Sequence, residues 1–239
     1  MLRNALVKKS LRDTKTKIKK NQNNDSEALH SLKKLYSLKK IEICQRLKDF
    51  KRLWLEGSDE DIFKELAFCI FTPQSKAKVC WKAIERLRFK KLLFKNTPEE
   101  IIREIRDVRF KNKKVNYLIK ARTFFSKNGR LHIKSVLKEF NDIYKCREWL
   151  VKNILGIGYK EASHFLRNIG LGDKIAILDR HILKNLKDFN IINKIPTSLN
   201  KSQYLEIEKK MSNFSREINI PLPHLDLLLW CKETGEIFK

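Results

Sequence analysis

Residues 151–181 read VKNILGIGYKEASHFLRNIGLGDKIAILDRH, and this stretch holds the densest set of chemically informative residues in the chain. Apolar residues recur at helical spacing on both sides of segment 155–158 (LGIG), which predicts two helices, over about 142–153 and 159–169, joined by a tight hairpin. Two glycines in that segment allow positive φ and leave room for a close ligand. Free amides at the start of the second helix predict an anion site suited to a nucleic-acid phosphate, with an ordinary interhelical turn as the alternative.

Two charged residues flank this hairpin in positions that indicate a chemical role. Lys160 falls in the first turn of the second helix, where the helix dipole disfavours a cation, so lysine there is a poor choice on stability grounds. Further along, the apolar run 175–178 leads to Asp179, which precedes a helical pattern and is expected at an N-cap. The alternatives are a surface lysine and a plain helix cap.

These motifs carry a family resemblance. LGIGYK at 155–160, followed by LDRH at 178–181, resembles the helix-hairpin-helix and Gly/Pro-Asp signature of the base-excision DNA glycosylase superfamily. The longer run GIGYKEASHFLRNIG, with LDRHIL and the chain end TGEIFK, resembles more narrowly the type-2 8-oxoguanine DNA glycosylase/AP lyases. The resemblance spans about residues 29–239. A hairpin alone is a moderate signal, whereas hairpin, lysine and aspartate in this order are a strong one.

Composition points to a globular protein with a polyanionic partner. The chain has 239 residues, a length that suits one large domain or two small ones. Of these residues, 42% are hydrophobic and 34% are charged, which is typical of a globular protein. A formal charge of +25 predicts a nucleic-acid partner, because such self-repulsion otherwise disfavours the compact state. A membrane surface is the alternative polyanion, but no window approaches the roughly eighteen apolar residues of a spanning helix. We expect no membrane association.

Cysteine usage indicates a reducing compartment. The five cysteines are odd in number and lie in apolar helical contexts, so we expect no disulfides. They are not clustered, which disfavours zinc and iron-sulfur sites, although several relatives in the superfamily carry a four-cysteine cluster near the C-terminus. We therefore expect an intracellular compartment that contains DNA, cytoplasm or nucleoid rather than an organelle.

The first 28 residues differ in composition from the rest of the chain. Residues 1–28 hold eight Lys/Arg against three Asp/Glu and end in a polar stretch. We predict a mobile basic tail that adds an electrostatic arm for DNA. An organellar presequence is the alternative, which Asp13 and the Lys-rich, Ser-poor composition disfavour.

From Leu29 onward the pattern is helical almost throughout, and no stretch shows a convincing period of two. We predict an all-α chain of about ten helices with short loops. The resemblance implies the helix-hairpin-helix glycosylase fold, with two helical subdomains flanking an active-site cleft. The predicted helices are 29–56 ending before Gly57 as a C′ residue, Asp59–Phe71 capped by Ser58, Ser75–Arg88, one starting at Thr97-Pro98, Lys113–Lys127 opened by Asn112 and ended by Asn128-Gly129, 142–153, 159–169, one after Asp179, Lys201–Ile218 and Leu225–Lys232.

The resemblance also assigns roles to individual residues. Lys160 is implied as the nucleophile that attacks the sugar, and Asp179 as the group that stabilises the developing positive charge and helps deprotonate the amine. The hairpin residues Gly156, Ile157 and Gly158 are implied to hold DNA phosphates.

Four further residues are assigned to DNA and base contacts by the resemblance. Gln74, in the loop 71–75, is implied to fill the gap left by an everted base, and Phe110 to contact the opposite base. A plain loop glutamine and a core phenylalanine are the alternatives. Trp230 and Lys239 are implied to recognise the damaged base, with the main-chain carboxylate of Lys239 in the base pocket. A carboxylate suits 8-oxoguanine because its N7-H is a donor where guanine has an acceptor.

The implied reaction is removal of 8-oxoguanine from duplex DNA through a lysine Schiff base, followed by β-elimination at the abasic site. No metal or nucleotide cofactor is required, and we expect a monomer. One alternative is a glycosylase of the same superfamily for another lesion, such as an oxidised pyrimidine. The other is a helix-hairpin-helix protein that only binds DNA.

Overall fold

The computed structural model describes the backbone of residues 2–95 and 97–239, with side chains described over 26–95 and 97–239. Within these residues the chain forms twelve helices and one two-stranded hairpin, which confirms the predicted all-α class. The elements are α1 (Leu2–Glu56), α2 (Asp59–Phe71), α3 (Ala77–Phe89), α4 (Leu92–Lys95), α5 (Pro98–Glu104), α6 (Lys111–Phe124), β1 (Ser126–Lys127), β2 (Arg130–Leu131), α7 (Ile133–Lys138), α8 (Ile143–Asn153), α9 (Tyr159–Asn168), α10 (Arg180–Asp188), α11 (Lys201–Glu217) and α12 (Leu222–Thr234).

Most of the predicted basic tail falls outside the described side chains, which begin at Ser26. The mobility of residues 1–28 and their role as an electrostatic arm therefore stay predictions.

Helix starts follow the capping signals of the sequence. Ser58 and Asp61 form a reciprocal capping box at α2, in which the Asp61 amide donates to Ser58 Oγ at 3.2 Å. Thr97 and Glu100 repeat the arrangement at α5, with proline in the first turn. These local signals explain why the predicted bounds of α2 and the predicted start of α5 are confirmed.

The prediction around α6 was wrong at both ends. α6 begins at Lys111, so Asn112 lies inside the helix and Phe110 is the N-cap. Asn128 and Gly129 do not end a helix; they form the turn between β1 and β2, with φ of 52° and 74°. Because both residues of such a hairpin turn need positive φ, Asn-Gly suits it well.

Other helix bounds also differ from expectation: α1 begins at Leu2 rather than at about residue 29, and α3 spans Ala77–Phe89 rather than Ser75–Arg88. α1 ends before Gly57, as predicted, but Gly57 is not among the glycines with positive φ. A Cβ on Gly57 would lie 2.4 Å from the carbonyl oxygen of Leu53, so close packing requires the glycine. α12 begins at Leu222, three residues before the predicted start, because prolines are tolerated in a first helical turn.

Two hydrophobic cores support the predicted division into two helical subdomains. α2 is the centre of the first core, where Ile62 to Phe71 are nearly all inaccessible and α3 and α5–α9 surround them. The second core joins α1 to α10–α12. The segment 175–178 passes between them, since Ile175 packs in the first core and Ala176 and Leu178 pack in the second. Asp179 therefore emerges at the boundary between the two subdomains.

The five cysteines are free thiols, and Cys69, Cys80, Cys146 and Cys231 are buried. Burial raises the pKa of the Cys80 thiol to about 11 and that of Cys146 to about 12. Among the helices that the structure describes, none is both long and apolar enough to cross a membrane.

Candidate active site

The hairpin between α8 and α9 uses its two glycines differently. Gly156 has φ of 81°, and a Cβ there would lie 2.4 Å from the ring of Tyr117, which packs on the hairpin. Gly158 is extended, with φ of −97° and ψ of −173°, and serves as the N-cap of α9. Only Gly156 uses the positive φ that glycine allows, because Gly158 is a helix N-cap and takes an extended backbone.

Two of the hairpin amides have partners within the protein. The Gly158 amide donates to Glu161 Oε2 at 3.2 Å, and the Ile157 amide makes a long contact of 3.4 Å to the carbonyl oxygen of Ile154. The Ile157 side chain is 5% exposed and belongs to the first core, so any contact of Ile157 with DNA uses its main chain. A phosphate bound here would compete with the Glu161 carboxylate for the Gly158 amide. The role of these three residues in DNA binding stays a prediction.

Lys160 lies in the first turn of α9 with its side chain 26% exposed. Among the described residues its one ion pair is a long one, 3.7 Å to Glu161 Oε1. An amine this loosely held keeps the freedom to reach a substrate atom. Its charge acts on five buried groups: Cys69, Cys80, Lys114, His164 and Asp226.

Asp179 is held much more firmly than Lys160. Its Oδ1 accepts hydrogen bonds from the amides of His181 at 2.8 Å and Ile182 at 2.9 Å, which confirms the predicted N-cap position at α10. The carboxylate remains half-buried at the end of segment 175–178. Because two amides fix one oxygen, the orientation of the second oxygen is also fixed.

The segment that leads to Asp179 is held by two residues of α11. Tyr204 Oη donates to the carbonyl oxygen of Ala176 at 2.8 Å and accepts from the amide of Leu178 at 3.2 Å. Glu208 Oε1 accepts from the Ala176 amide at 2.8 Å. These side chains replace the strand neighbour that an extended segment otherwise lacks, and they position Asp179.

A buried arginine ties this segment to the hairpin. Arg147 of α8, 1% exposed, makes a bidentate pair with Glu208 at 2.6 and 2.8 Å and donates to Ser163 of α9 at 3.0 Å. Sequence reasoning missed Arg147, Tyr204 and Glu208. The available signal was that Arg147 and Glu208 fall among the apolar positions of their helices.

The charges of Lys160 and Asp179 both act on a buried carboxyl group, that of Asp226. Asp226 of α12 is buried and pairs with Arg167 at 2.9 Å, while its Oδ1 has no hydrogen-bond partner. Burial raises the pKa of Asp226 to about 6; the charge of Asp179 acts in the same direction, while Arg167 and Lys160 oppose it. Both predicted catalytic residues therefore lie within electrostatic reach of Asp226.

The chain end is docked, through contacts that the sequence did not reveal. The Lys239 ammonium pairs with Glu65 of α2, which is 1% exposed, and lies 3.6 Å from the ring centroid of Trp81. Burial lowers the pKa of Lys239, and Glu65 opposes that shift. Next to it, the ring centroid of Phe238 lies 6.2 Å from that of Trp230, and the planes of the two rings are inclined by 30°. The tail thus joins α12 to α2.

A histidine with no hydrogen-bond partner lies beneath this tail. His164 is 6% exposed, packs edge-on against Phe68, and has no hydrogen-bond partner at either ring nitrogen. Burial lowers its pKa well below the usual value, with the charges of Arg167 and Lys160 adding to the effect and the main chain of Lys239 opposing it. The imidazole is therefore neutral at neutral pH.

Gln74 and Phe110 are both exposed and both have left-handed backbones, with φ of 55° and 57°. Phe110 is 56% exposed, so the alternative of a core phenylalanine is wrong. Left-handed conformations are strained for residues other than glycine and often mark functional positions. Their contact with DNA stays a prediction.

Comparison with known proteins gives a consistent result. The sequence profile of the family described as 8-oxoguanine DNA glycosylase matches residues 43–220. An 8-oxoguanine DNA glycosylase/AP lyase of Fusobacterium nucleatum is 45% identical over 214 residues, covering 90% of this chain and 99% of that protein. Its counterpart in Methanocaldococcus jannaschii is 40% identical over 218 residues, covering 87% and 99%.

Solved structures agree in fold. The 8-oxoguanine DNA glycosylase of Thermotoga maritima has a TM-score of 0.80 at 33% identity, covering 90% of this chain and 100% of that one. The M. jannaschii enzyme in complex with a 15mer DNA containing 8-oxoguanine has a TM-score of 0.78 at 37% identity, covering 88% and 100%. The fold is thus that of the helix-hairpin-helix DNA glycosylases. More narrowly, the chain belongs to the 8-oxoguanine DNA glycosylase family.

Proposed function

We propose that this protein excises 8-oxoguanine from duplex DNA and then cleaves the resulting abasic site. The observation that carries the proposal is that a loosely held amine, Lys160, and a firmly fixed carboxylate, Asp179, both lie within electrostatic reach of the buried Asp226. Family membership supports the substrate, since the F. nucleatum and M. jannaschii relatives bear the name 8-oxoguanine DNA glycosylase/AP lyase.

The partner is double-stranded DNA that contains a damaged base, in keeping with the DNA bound by the M. jannaschii relative. A base inside a duplex is unreachable, so the nucleotide must leave the stack, with Gln74 filling the gap and Phe110 meeting the opposite base. The formal charge of +25, to which residues 1–28 contribute, makes binding strongly salt-dependent. We further propose that the protein acts as a monomer in a reducing compartment.

In the proposed reaction the amine nitrogen of Lys160 attacks C1′ of the everted nucleotide. A bond forms between Nζ and C1′ while the glycosidic bond breaks, and its electrons leave with the base. Asp179 stabilises the positive charge that develops on the sugar and helps to remove the amine proton. Ring opening then gives a Schiff base, which acidifies C2′. Loss of a C2′ proton expels the 3′ phosphate and cuts the strand.

Recognition of the base is assigned to the chain end. The main-chain carboxylate of Lys239 would accept the N7-H of 8-oxoguanine and repel the N7 lone pair of guanine. Anchoring of the Lys239 ammonium on Glu65 restrains the main chain that bears this carboxylate. The Trp230 ring, inclined by only 30° to that of Phe238, offers an aromatic face to a base.

The proposal is tested by incubating the wild-type protein and Lys160→Gln with duplexes that each contain one lesion, in the presence of borohydride. We expect covalent trapping on 8-oxoguanine by the wild type only, with DNA affinity nearly intact in the variant. Trapping confined to oxidised pyrimidines would reassign the lesion. DNA binding without trapping on any duplex would favour the non-catalytic alternative.

A second test concerns Lys239. Appending a few residues after Lys239 should lower the ratio of 8-oxoguanine excision to cleavage of a preformed abasic site, since only the first reaction needs base recognition. An unchanged ratio would remove the carboxylate from the base pocket.

A further inference from the structure

Lys114 of α6 is a buried lysine that neither the sequence motifs nor the reaction accounts for. It is 4% exposed, and its Nζ donates to the carbonyl oxygens of Phe71 at 2.6 Å and Pro73 at 2.7 Å and to Ser75 Oγ at 3.0 Å. An ammonium has three donors, so all three are used on one short loop. That loop, residues 71–75, connects α2 to α3 and carries Gln74.

The same lysine is tied to the turn that carries Phe110. Its main-chain amide donates to the Phe110 carbonyl oxygen at 3.0 Å in the first turn of α6. The Arg109 amide donates to Ser75 Oγ at 3.1 Å, the same hydroxyl that accepts from Lys114 Nζ. Ser75 and Lys114 together therefore join Gln74 and Phe110, which are both exposed and both have left-handed backbones.

Burying the Lys114 ammonium costs free energy of folding, so its contacts differ from ordinary stabilising ones. Its ammonium forms no ion pair within 4 Å with any described carboxylate, and its partners are neutral oxygens. Burial lowers its pKa, and the charges of Arg109 and Lys160 add to that effect while Cys80 and Glu161 oppose it. A buried charge that lacks a counter-charge is poor for stability. It is well suited to holding three loop oxygens at fixed directions.

We propose that Lys114 is a positioning residue that holds the Gln74 loop and the Phe110 turn as one rigid unit, so that both side chains enter the DNA stack together. The inference rests on the proposed function and deepens it. It makes gap filling on the lesion strand and contact with the opposite base a single event. Lys114 itself contacts neither base nor sugar.

The test compares Lys114→Met with Lys134→Met. Methionine keeps an unbranched apolar side chain but donates no hydrogen bonds. Lys134 is a matched control because its Nζ also holds main-chain carbonyl oxygens, those of Leu55 at 3.3 Å and Gly57 at 2.9 Å, at the end of α1. Each variant is assayed on 8-oxoguanine paired in a duplex and on the same lesion inside a bubble of unpaired bases.

We expect Lys114→Met to slow excision from the duplex on the order of tenfold or more, and from the bubble about twofold or less, since no stacked base has to be displaced there. Lys134→Met should leave the duplex-to-bubble ratio unchanged. An equal loss on both substrates, or none, would overturn the proposal. A merely structural lysine would lower both rates by the same factor.

A binding measurement separates this inference from the excision chemistry. In a Lys160→Gln background, 2-aminopurine placed at the target position should gain fluorescence when the protein everts it. Adding Lys114→Met should abolish most of that gain, and a persistent gain would contradict the proposal. The absence of 8-oxoguanine excision by the wild type would instead count against the proposed function alone.

Two further variants test the route of action. If Lys114→Met does not fold, Ser75→Ala removes only the shared hydroxyl and should lower the duplex-to-bubble ratio in the same direction; no change would overturn the proposal. Combined with Gln74→Ala, Lys114→Met should lose less than the product of the two single effects, because both act through one loop. Fully multiplicative losses would show that Lys114 acts elsewhere.

Discussion

Lys160 and Asp179 lie at the starts of successive helices, α9 and α10, yet the protein holds them in opposite ways. Asp179 is fixed by two amides, and the segment before it is held by Tyr204 and Glu208. In the part of the chain whose side chains are described, the Lys160 ammonium has one ion pair, the long contact of 3.7 Å to Glu161. A group that stabilises charge works best when its dipoles are already oriented, whereas a nucleophile must travel to the atom it attacks. The structure matches each restraint to the proposed task.

Removing the nucleophile should produce the largest effect. Lys160→Arg keeps the charge but not the nucleophilic amine, so we expect single-turnover excision to fall by on the order of 10³-fold or more, with no borohydride trapping. Unfolding free energy should change by less than about 0.5 kcal/mol, because the side chain is loosely held. Lys210→Arg on the exposed face of α11 is the control. Persistent trapping would place the nucleophile elsewhere.

Removing the charge of Asp179 should lower activity less than removing the Lys160 amine, and it should leave the stability of the fold unchanged. Asparagine caps helices as well as aspartate does, so Asp179→Asn should keep its stability while excision falls by on the order of 10²-fold. Asp142→Asn is the matched control, since Asp142 caps α8 in the same way with a 2.8 Å bond from the Tyr144 amide. A lower melting temperature with unchanged activity per folded molecule would reduce Asp179 to a helix cap.

The carboxyl of Asp226, on which the charges of Lys160 and Asp179 act, should make the free energy of unfolding depend on pH. Its folded pKa, about 6, lies above the ordinary value of 3.8, so its contribution to stability is complete only well below pH 3.8 and is lost as pH rises through 6. Relative to Asp226→Asn, the wild type should lose about 2 kcal/mol of unfolding free energy between pH 4 and 7. Parallel pH profiles, measured by urea unfolding, would contradict the raised pKa.

The smallest expected effect comes from loosening the segment that carries Asp179. Tyr204→Phe removes a hydroxyl that bonds Ala176 and Leu178, so we expect about 1–2 kcal/mol lower stability and a few-fold lower kcat with DNA affinity unchanged. Tyr36→Phe, which loses a 3.0 Å bond to His224 of α12, is the control for removing a tyrosine hydroxyl. Equal kcat in the two variants would show that the restraint on Asp179 is not needed.

Sequence reasoning succeeded where the signal is local. The hairpin helices and the caps Ser58, Thr97 and Asp179 rest on residues a few positions apart, and they are confirmed. The family assignment rests on short motifs that are each local, and it is confirmed as well. It failed at Asn128-Gly129 because the same dipeptide suits a helix end and a hairpin turn, and only pairing with β2 distinguishes them.

The supporting residues of the site were out of reach for a different reason. Arg147 and Glu208 are 61 positions apart, Lys114 is 43 positions from Phe71, and Glu65 is 174 positions from Lys239. No helical or strand period links such pairs, so only the fold brings them together. Because 34% of the residues are charged, nothing in the sequence distinguishes these charged side chains from the others.

The buried thiols affect how well the protein withstands the oxidants that create the lesion. Oxidants attack the thiolate rather than the thiol, and a thiol with a pKa of about 11, as at Cys80, is ionised to only about one part in 10⁴ at pH 7. Cys69, Cys146 and Cys231 are likewise buried, with pKa values raised by burial. A protein that repairs oxidised guanine thus keeps most of its own sulfur in the form that peroxide attacks slowly, and should remain active under the conditions that generate its substrate.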